Sequence, residues 1–264
     1  MVRIHPTALV DSGAELGDEV DIGPYCVVGP QVRIESGTRL VSHVSVQGRT
    51  RIGRDNLIHS FCSIGAIPQD KKYAGEPTEL HIGARNTIRE CCTFNVGTAQ
   101  DVGVTRVGDD NWVMAYVHVA HDCQVGNHVV FANSTQLAGH VHVGDWTVLG
   151  GFTGVHQFVH IGAHVMAGIA AVLTQDVPPF VLLGGTPAVP HGINAEGLRR
   201  RGFSAERIAG LRRAYRLLYR QGLSLEQARA RLEEQRLAQQ GEGAADLGHL
   251  LDFLAASNRG IVRP

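Results

Sequence analysis

The residues best suited to chemistry here are histidines. The chain carries fourteen, crowded between His118 and His164. Imidazole titrates at about pH 6.5, so it can take and return a proton near neutrality. The spacing says more than the number. His121, Gly139 and Gln157 stand at intervals of eighteen residues, as do Asp122 and His140, and His142 and His160. If eighteen residues return the chain to the same place, His121-Asp122 lies beside Gly139-His140, with His156-Gln157 one step on. That would gather a general base, a carboxylate, an amide and a glycine whose N–H is open to an oxyanion. Any one of these histidines alone reads more readily as a solvated surface residue; together, meeting a carboxylate, an amide and a glycine, they read as a site. His118 and His121 can also be read as zinc ligands, although no cysteine joins them at metal spacing.

The element that must position these groups is a six-residue beat of aliphatic residues. It runs from Ile4 through Val10, Leu16, Ile22, Val28 and Ile34, and continues with two interruptions to Leu173. A fixed short period marks a solenoid, and six fits neither the 3.6 of a helix nor the 2 of a simple strand. Each hexad is expected to make one wall, with three walls per eighteen-residue coil of a triangular parallel β-helix. Cys26, Cys62, Cys92 and Cys123 all fall four places after a beat residue, where Ala8, Ala14, Val20 and Val44 also fall. That place should point inward, so these cysteines read as core packing rather than redox or metal groups.

Two interruptions break the beat, at 66–81 and 97–106. The first carries two prolines and a charge cluster, and either replaces one coil or swings out of it. The second slips the beat by one place. Loops on rigid scaffolds are where binding groups tend to sit. Pro178 and Pro179 are expected to stop the ladder. Three helices should follow: one capped by Ser204 and running to about 221, one opened by a Ser224/Gln227 capping box, and one over about 244–257. The expected domains are therefore a β-helix over 1–190 and a small C-terminal α-helical domain over 191–264.

The 264 residues balance 24 basic against 25 acidic side chains, which gives no overall pull toward nucleic acid. The halves differ. Residues 1–190 hold 11 basic and 17 acidic side chains, and 191–264 hold 13 and 8. A basic tail on an acidic body suits an acidic partner, or a merely solvated helix face. No apolar run approaches a membrane span, and no secretory leader is apparent, so a cytoplasmic protein is expected.

Several strings go beyond the repeat: Ile-His-Pro-Thr-Ala at 4–8, Gln-Asp-Lys-Lys-Tyr-Ala-Gly-Glu-Pro-Thr at 69–78, His-Val-Ala-His-Asp-Cys at 118–123, Leu-Ala-Gly-His at 137–140, Val-His-Gln-Phe at 155–158, and Asn-Ala-Glu-Gly-Leu-Arg-Arg-Arg-Gly-Phe at 194–203. On these, over essentially its whole length, the chain resembles the bacterial UDP-N-acetylglucosamine O-acyltransferases that open lipid A biosynthesis. The resemblance implies an all-β left-handed parallel β-helix of hexapeptide repeats with a helical tail, assembled as a homotrimer. It implies transfer of a (R)-3-hydroxyacyl group from acyl carrier protein to the sugar 3-hydroxyl, without metal or cofactor. By position, His121 takes the base's place, Asp122 that of its orienting acid, and Gly139 that of the oxyanion donor. Gln69, Asp70, Lys72, His118, His140, His156 and Gln157 match substrate-site residues. Asn194, Glu196, Arg200 and Arg201 match the nucleotide end. On charge alone, Lys72 reads as a solvated loop lysine and Arg199–Arg201 as a charged helix entrance.

Ile169 departs from the pattern. The resemblance places it at the far end of an acyl groove, where glycine admits a long chain and isoleucine should block one. His121 to Ile169 is 48 residues, which at strand spacing is about 13 Å along the axis. That distance suits a 3-hydroxyacyl chain of about ten to twelve carbons. Pro187, Asn95 and Val96 also replace residues seen in some members. Two other readings of the fold remain at this point: acylation of a 3-amino analogue of the sugar, and a γ-type carbonic anhydrase built around histidine-bound zinc.

Overall fold

The computed structural model describes residues 1–263. Three sheets of eleven, nine and eight strands, parallel except for the last strand of the first sheet, form the walls of a left-handed triangular prism. Register follows the beat. On the first wall Ile4 pairs with Ile22, Ile22 with Leu40, and Leu40 with Ile58. Each hexad spends two residues on a strand, the first facing out and the second, the beat residue, facing in. One linking residue and two turn residues then make the corner. A second inward residue follows, which is where Cys26, Cys62, Cys92 and Cys123 lie buried. The second residue of most turn pairs takes a left-handed backbone, for example Tyr25, Asp122, His140 and Trp146 with φ between 59° and 64°. A left-handed residue is costly without glycine. Here the coil-to-coil hydrogen bonds offset that cost, as in His140 N–H to His121 O at 3.0 Å.

The core is aliphatic, with Phe94 and Phe131 its largest fully buried side chains. Most buried polar side chains are paired, although Asn95 Oδ1, Tyr219 Oη and Gln235 Oε1 find no partner among the described residues. Asn56 Oδ1 accepts from Asn86, Asn86 Oδ1 from the Asn111 amide, and Asn111 Oδ1 from the Val129 amide. This asparagine ladder satisfies turn amides that the sheets leave free.

The interruptions are insertions, and no coil is lost. Ile52 pairs with Ile82 and Ile64 with Phe94, thirty residues instead of eighteen. Ile82 pairs with Val107 and Phe94 with Val119, twenty-five instead of eighteen. The extra residues leave the prism at one corner, between the second and third walls. The last residues of both sequence-defined loops are strand: Glu79–Ile82 and Val104–Val107.

Pro178 and Pro179 do not stop the ladder. Val181–Gly184 pairs in parallel with Met166–Ala167, and Val189–Ile193 then folds back antiparallel to cover that edge. Pro179 and Phe180 occupy a turn, where a missing amide breaks no strand pairing. The first wall therefore continues to Ile193, slightly beyond the expected boundary at 190.

Four helices follow: α1 (Ala195–Arg200), α2 (Ala205–Tyr219), α3 (Leu225–Leu237) and α4 (Glu242–Ala256). Ser204 caps α2, and Ser224 with Gln227 forms a complete capping box on α3. The sequence reading missed α1, whose N-cap is Asn194. The helices share one continuous core with the prism. Tyr215 donates to Pro190 O, and Ser257 donates to the buried Asp176 carboxylate on the last coil.

His164 sits at this junction, against Phe180 and Phe203. Burial, then the neighbouring Arg201 charge, pushes its pKa down to about 4. Its unfolded value is about 6.5. Between these values the unfolded chain binds the extra proton, so stability is full above pH 6.5 and is lost as pH falls toward 4. His118 and His142 are lowered by burial in the same direction. Denaturant unfolding measured across this window should show falling stability, with a shallower slope in His164→Gln. An unchanged slope in that variant would refute the assignment.

Candidate active site

Both insertions and the His121 column meet at the corner between the second and third walls. The eighteen-residue column thus stands at a corner, where turns stack, and not on a flat wall. His121, Gly139 and Gln157 are first residues of successive turns, and Asp122, His140 and Phe158 the second. They line, or stand directly behind, a cleft of about 780 Å³. Gln69, Asp70 and Lys72 enter it from the first insertion, and Thr98 and Asp101 from the second. His142 and His160, stacked at 4.3 Å, continue it along the third wall.

His121 Nδ1 lies 3.0 Å from Asp122 Oδ2. The Asp122 side chain is fully buried. Burial alone would raise its carboxyl, but hydrogen bonds from His121 and from the hydroxyl and amide of Thr98, with His140 nearby, outweigh that and hold it below the usual carboxylate range. Thr98 Oγ1 donates to Oδ2 at 2.6 Å, and the Thr98 amide spans both oxygens at 3.1 and 3.0 Å. An ionised carboxylate only accepts, so His121 must donate from Nδ1 and leave Nε2 free as a base. Gly139 lies under this ring: a Cβ there would stand 2.5 Å from His121 Cε1.

His140 is held by a different acid. Its Nδ1 meets Asp101 Oδ2 at 2.6 Å, its ring lies on Phe158 at 4.2 Å, and it faces His121 edge-on at 4.9 Å. Lys72 has no ion-pair partner among the described residues, while its amide donates to Asp70. His121, Asp122 and His140 bring possible metal-ligating atoms within 4.8 Å of one another. Those His Nδ1 and Asp carboxylate atoms are already committed to the hydrogen bonds above.

Not every expected residue joins this cleft. His118 is on the second wall, bonded to Thr93 Oγ1 at 2.7 Å. His156 is an exposed neighbour whose Nδ1 lies 3.1 Å from Gln157 O. Asn194, Glu196, Arg200 and Arg201 line a separate hollow of about 810 Å³ at the corner between the third and first walls, with Trp146 and Met166. There Asn194 caps α1, Glu196 pairs with Arg200 at 3.1 Å, and Arg201 lies over Trp146 at 5.3 Å. Ile169 is 73% exposed at the third remaining corner, between the first and second walls. It is therefore offset from His121 by a whole wall, an offset that the axial distance ignored. Ile169 does not line the cleft that holds His121.

Sequence reasoning missed Thr98, Asp101 and Phe158. Phe158 stands eighteen residues after His140, so the repeat signalled it; for Thr98 and Asp101 the available signal was the slip of the beat at 97–106, which marks an insertion at the corner that carries His121. The pairing of Thr98 with Asp122, 24 residues away, has no sequence signature.

The chain is similar to known proteins throughout. A family described as bacterial transferase hexapeptide (six repeats) matches residues 105–139, and one described as UDP N-acetylglucosamine O-acyltransferase, domain 2, matches 176–262. An acyl-[acyl-carrier-protein]–UDP-N-acetylglucosamine O-acyltransferase of Thiobacillus denitrificans is 58% identical over 263 residues, covering 100% of both chains. The corresponding Verminephrobacter eiseniae protein is also 58% identical, again over 100% of both. The structure of LpxA from Acinetobacter baumannii superposes with a TM-score of 0.95 at 47% identity, covering 98% of this chain and 99% of that one. The Francisella novicida UDP-N-acetylglucosamine acyltransferase gives 0.95 at 39% identity, covering 100% and 94%.

Gly139→Ala tests the packing of the corner. Its backbone tolerates alanine, but the new Cβ must push the His121 ring aside. The imidazole NMR signals of His121 should shift while the circular dichroism of the fold stays unchanged. An unmoved ring would show that Gly139 does not set its position.

Proposed function

The chain belongs to the UDP-N-acetylglucosamine O-acyltransferase family and is an acyltransferase, and from that premise we propose that it transfers a (R)-3-hydroxyacyl group from acyl carrier protein to the 3-hydroxyl of UDP-N-acetylglucosamine, the first step of lipid A biosynthesis. The observation that carries this reading is the His121–Asp122 pair beneath a cleft that also holds Lys72, Asp70 and Gln69. His121 Nε2 accepts the hydroxyl proton as the sugar oxygen attacks the thioester carbonyl. Asp122 stabilises the imidazolium that forms. The Gly139 N–H, which has no acceptor among the described residues, is suited to the developing oxyanion. Collapse of the tetrahedral intermediate expels the pantetheine thiolate, and the imidazolium returns its proton to that sulfur.

The two groups of substrate residues occupy different corners. This favours a homotrimer in which a second copy brings Asn194, Glu196, Arg200 and Arg201 toward the cleft, where their charge suits a nucleoside diphosphate. His118 and His156 would then line its margin. The same arrangement lets a neighbouring Ile169 close the acyl groove and restores the axial ruler of about 13 Å, hence a chain of about ten to twelve carbons. The relatives are named for O-acylation, which favours the hydroxyl over a 3-amino acceptor. No helix among the described residues is long and apolar enough to cross a membrane. A cytoplasmic enzyme that meets its carrier protein in solution is consistent with that.

Purified protein given UDP-N-acetylglucosamine and 3-hydroxyacyl carrier proteins of varied length should turn over best near ten to twelve carbons. His121→Ala should lower kcat about 10²–10⁴-fold with the assembly intact. Near-normal turnover by that variant would sink the base assignment. Ile169→Gly should move the optimum toward fourteen carbons, and an unmoved optimum would remove Ile169 from the groove.

A further inference from the structure

Two imidazole–carboxylate pairs stand one coil apart, and the mechanism above uses only one. The second is His140 with Asp101, whose Nδ1···Oδ2 distance of 2.6 Å is shorter than that of the His121 pair. Asp101 does not belong to the repeat. It comes from the seven-residue insertion that displaces the register between Phe94 and Val119. His140 has little freedom otherwise. Its ring lies nearly parallel to Phe158, with an interplanar angle of 5°, meets His121 edge-on, and is 12% exposed. Asp122 approaches it only to 3.9 Å, beyond hydrogen-bond range, so Asp101 is the carboxylate that sets this ring. Because a carboxylate accepts only, His140 donates from Nδ1, and Nε2 is the ring nitrogen left for a ligand. The same insertion supplies Thr98, whose amide and hydroxyl hold the carboxylate behind His121.

We propose that Asp101 is a positioning residue for the acyl transfer, and that the 97–106 insertion is the common anchor of both imidazoles. Asp101 keeps His140 in the Nδ1–H tautomer, so that Nε2 accepts a hydrogen bond from a hydroxyl or amide N–H of the acceptor sugar. This rests on the function proposed above. It explains why an insertion that disturbs an otherwise regular coil is placed at this corner: the repeat supplies the two rings, and the insertion supplies the groups that orient them.

Nitrogen-15 spectra of the full-length protein's imidazoles, together with steady-state kinetics, test the assignment. The unaltered protein should show His140 protonated at Nδ1, and Asp101→Ala should release the Nε2–H tautomer. Loss of a charge-assisted hydrogen bond should lower kcat on the order of 10–100-fold, with the KM for acyl carrier protein unchanged. Asp101→Asn keeps a neutral acceptor in place. It should retain the Nδ1–H tautomer and recover part of the rate. Unaltered turnover or an unaltered His140 tautomer in Asp101→Ala overturns the proposal and leaves the function standing. If Asp101→Ala fails to assemble, Asp101→Asn decides alone, and a full rate in that variant overturns the proposal. Absence of acyl transfer by the unaltered enzyme removes both the function and this role.

Discussion

Each coil must return the chain to the same place after eighteen residues, because every strand takes its hydrogen bonds from the coils on either side. A single extra residue inside a strand would turn the inward beat residues outward. Extra residues are tolerated only where the ladder is already interrupted, at the corners. Both insertions use the corner between the second and third walls, and both restore register within one coil. The histidine cleft forms there for the same reason. Successive turns stack His121, Gly139 and Gln157, and the insertions bring polar groups over them that a regular hexad cannot supply.

That corner depends on a buried charge. An isolated carboxylate at the depth of Asp122 would take up a proton. Thr98 and His121 supply enough donors to keep it ionised, and their arrangement fixes which nitrogen of His121 faces the cleft. The glycine at 139 is part of the same packing, since the ring occupies the space its side chain would need. Burial, tautomer and access are therefore one arrangement rather than three separate features.

The helical domain is bound into the prism rather than appended to it. The antiparallel strand Val189–Ile193 covers the last parallel edge, and Asp176 on the last coil accepts from Ser257 at the end of α4. This fixes Arg201, the C-cap of α1, against Trp146 and His164. One chain thus presents a hollow lined by Arg200 and Arg201 and a histidine cleft at different corners, an arrangement that suits sites completed between copies.

The eighteen-residue prism, its inward cysteines, two of the helix caps and the histidine column were all legible in the sequence. They rest on local periodicity and capping chemistry, which repeat identically wherever the pattern occurs. The helix α1, the strands after Pro179 and the loop partners Thr98 and Asp101 were not legible. Each depends on what a short irregular segment finds beside it once the coils have stacked. The 48-residue interval to Ile169 shows the division clearly. Periodicity measures distance along the axis, and the two hexads left over in 48 residues already put Ile169 at a different corner from His121. Only the tertiary structure decided what surrounds each corner, because the segments that close over His121 and over Trp146 lie outside the repeat and take their places from whatever the stacked coils put beside them.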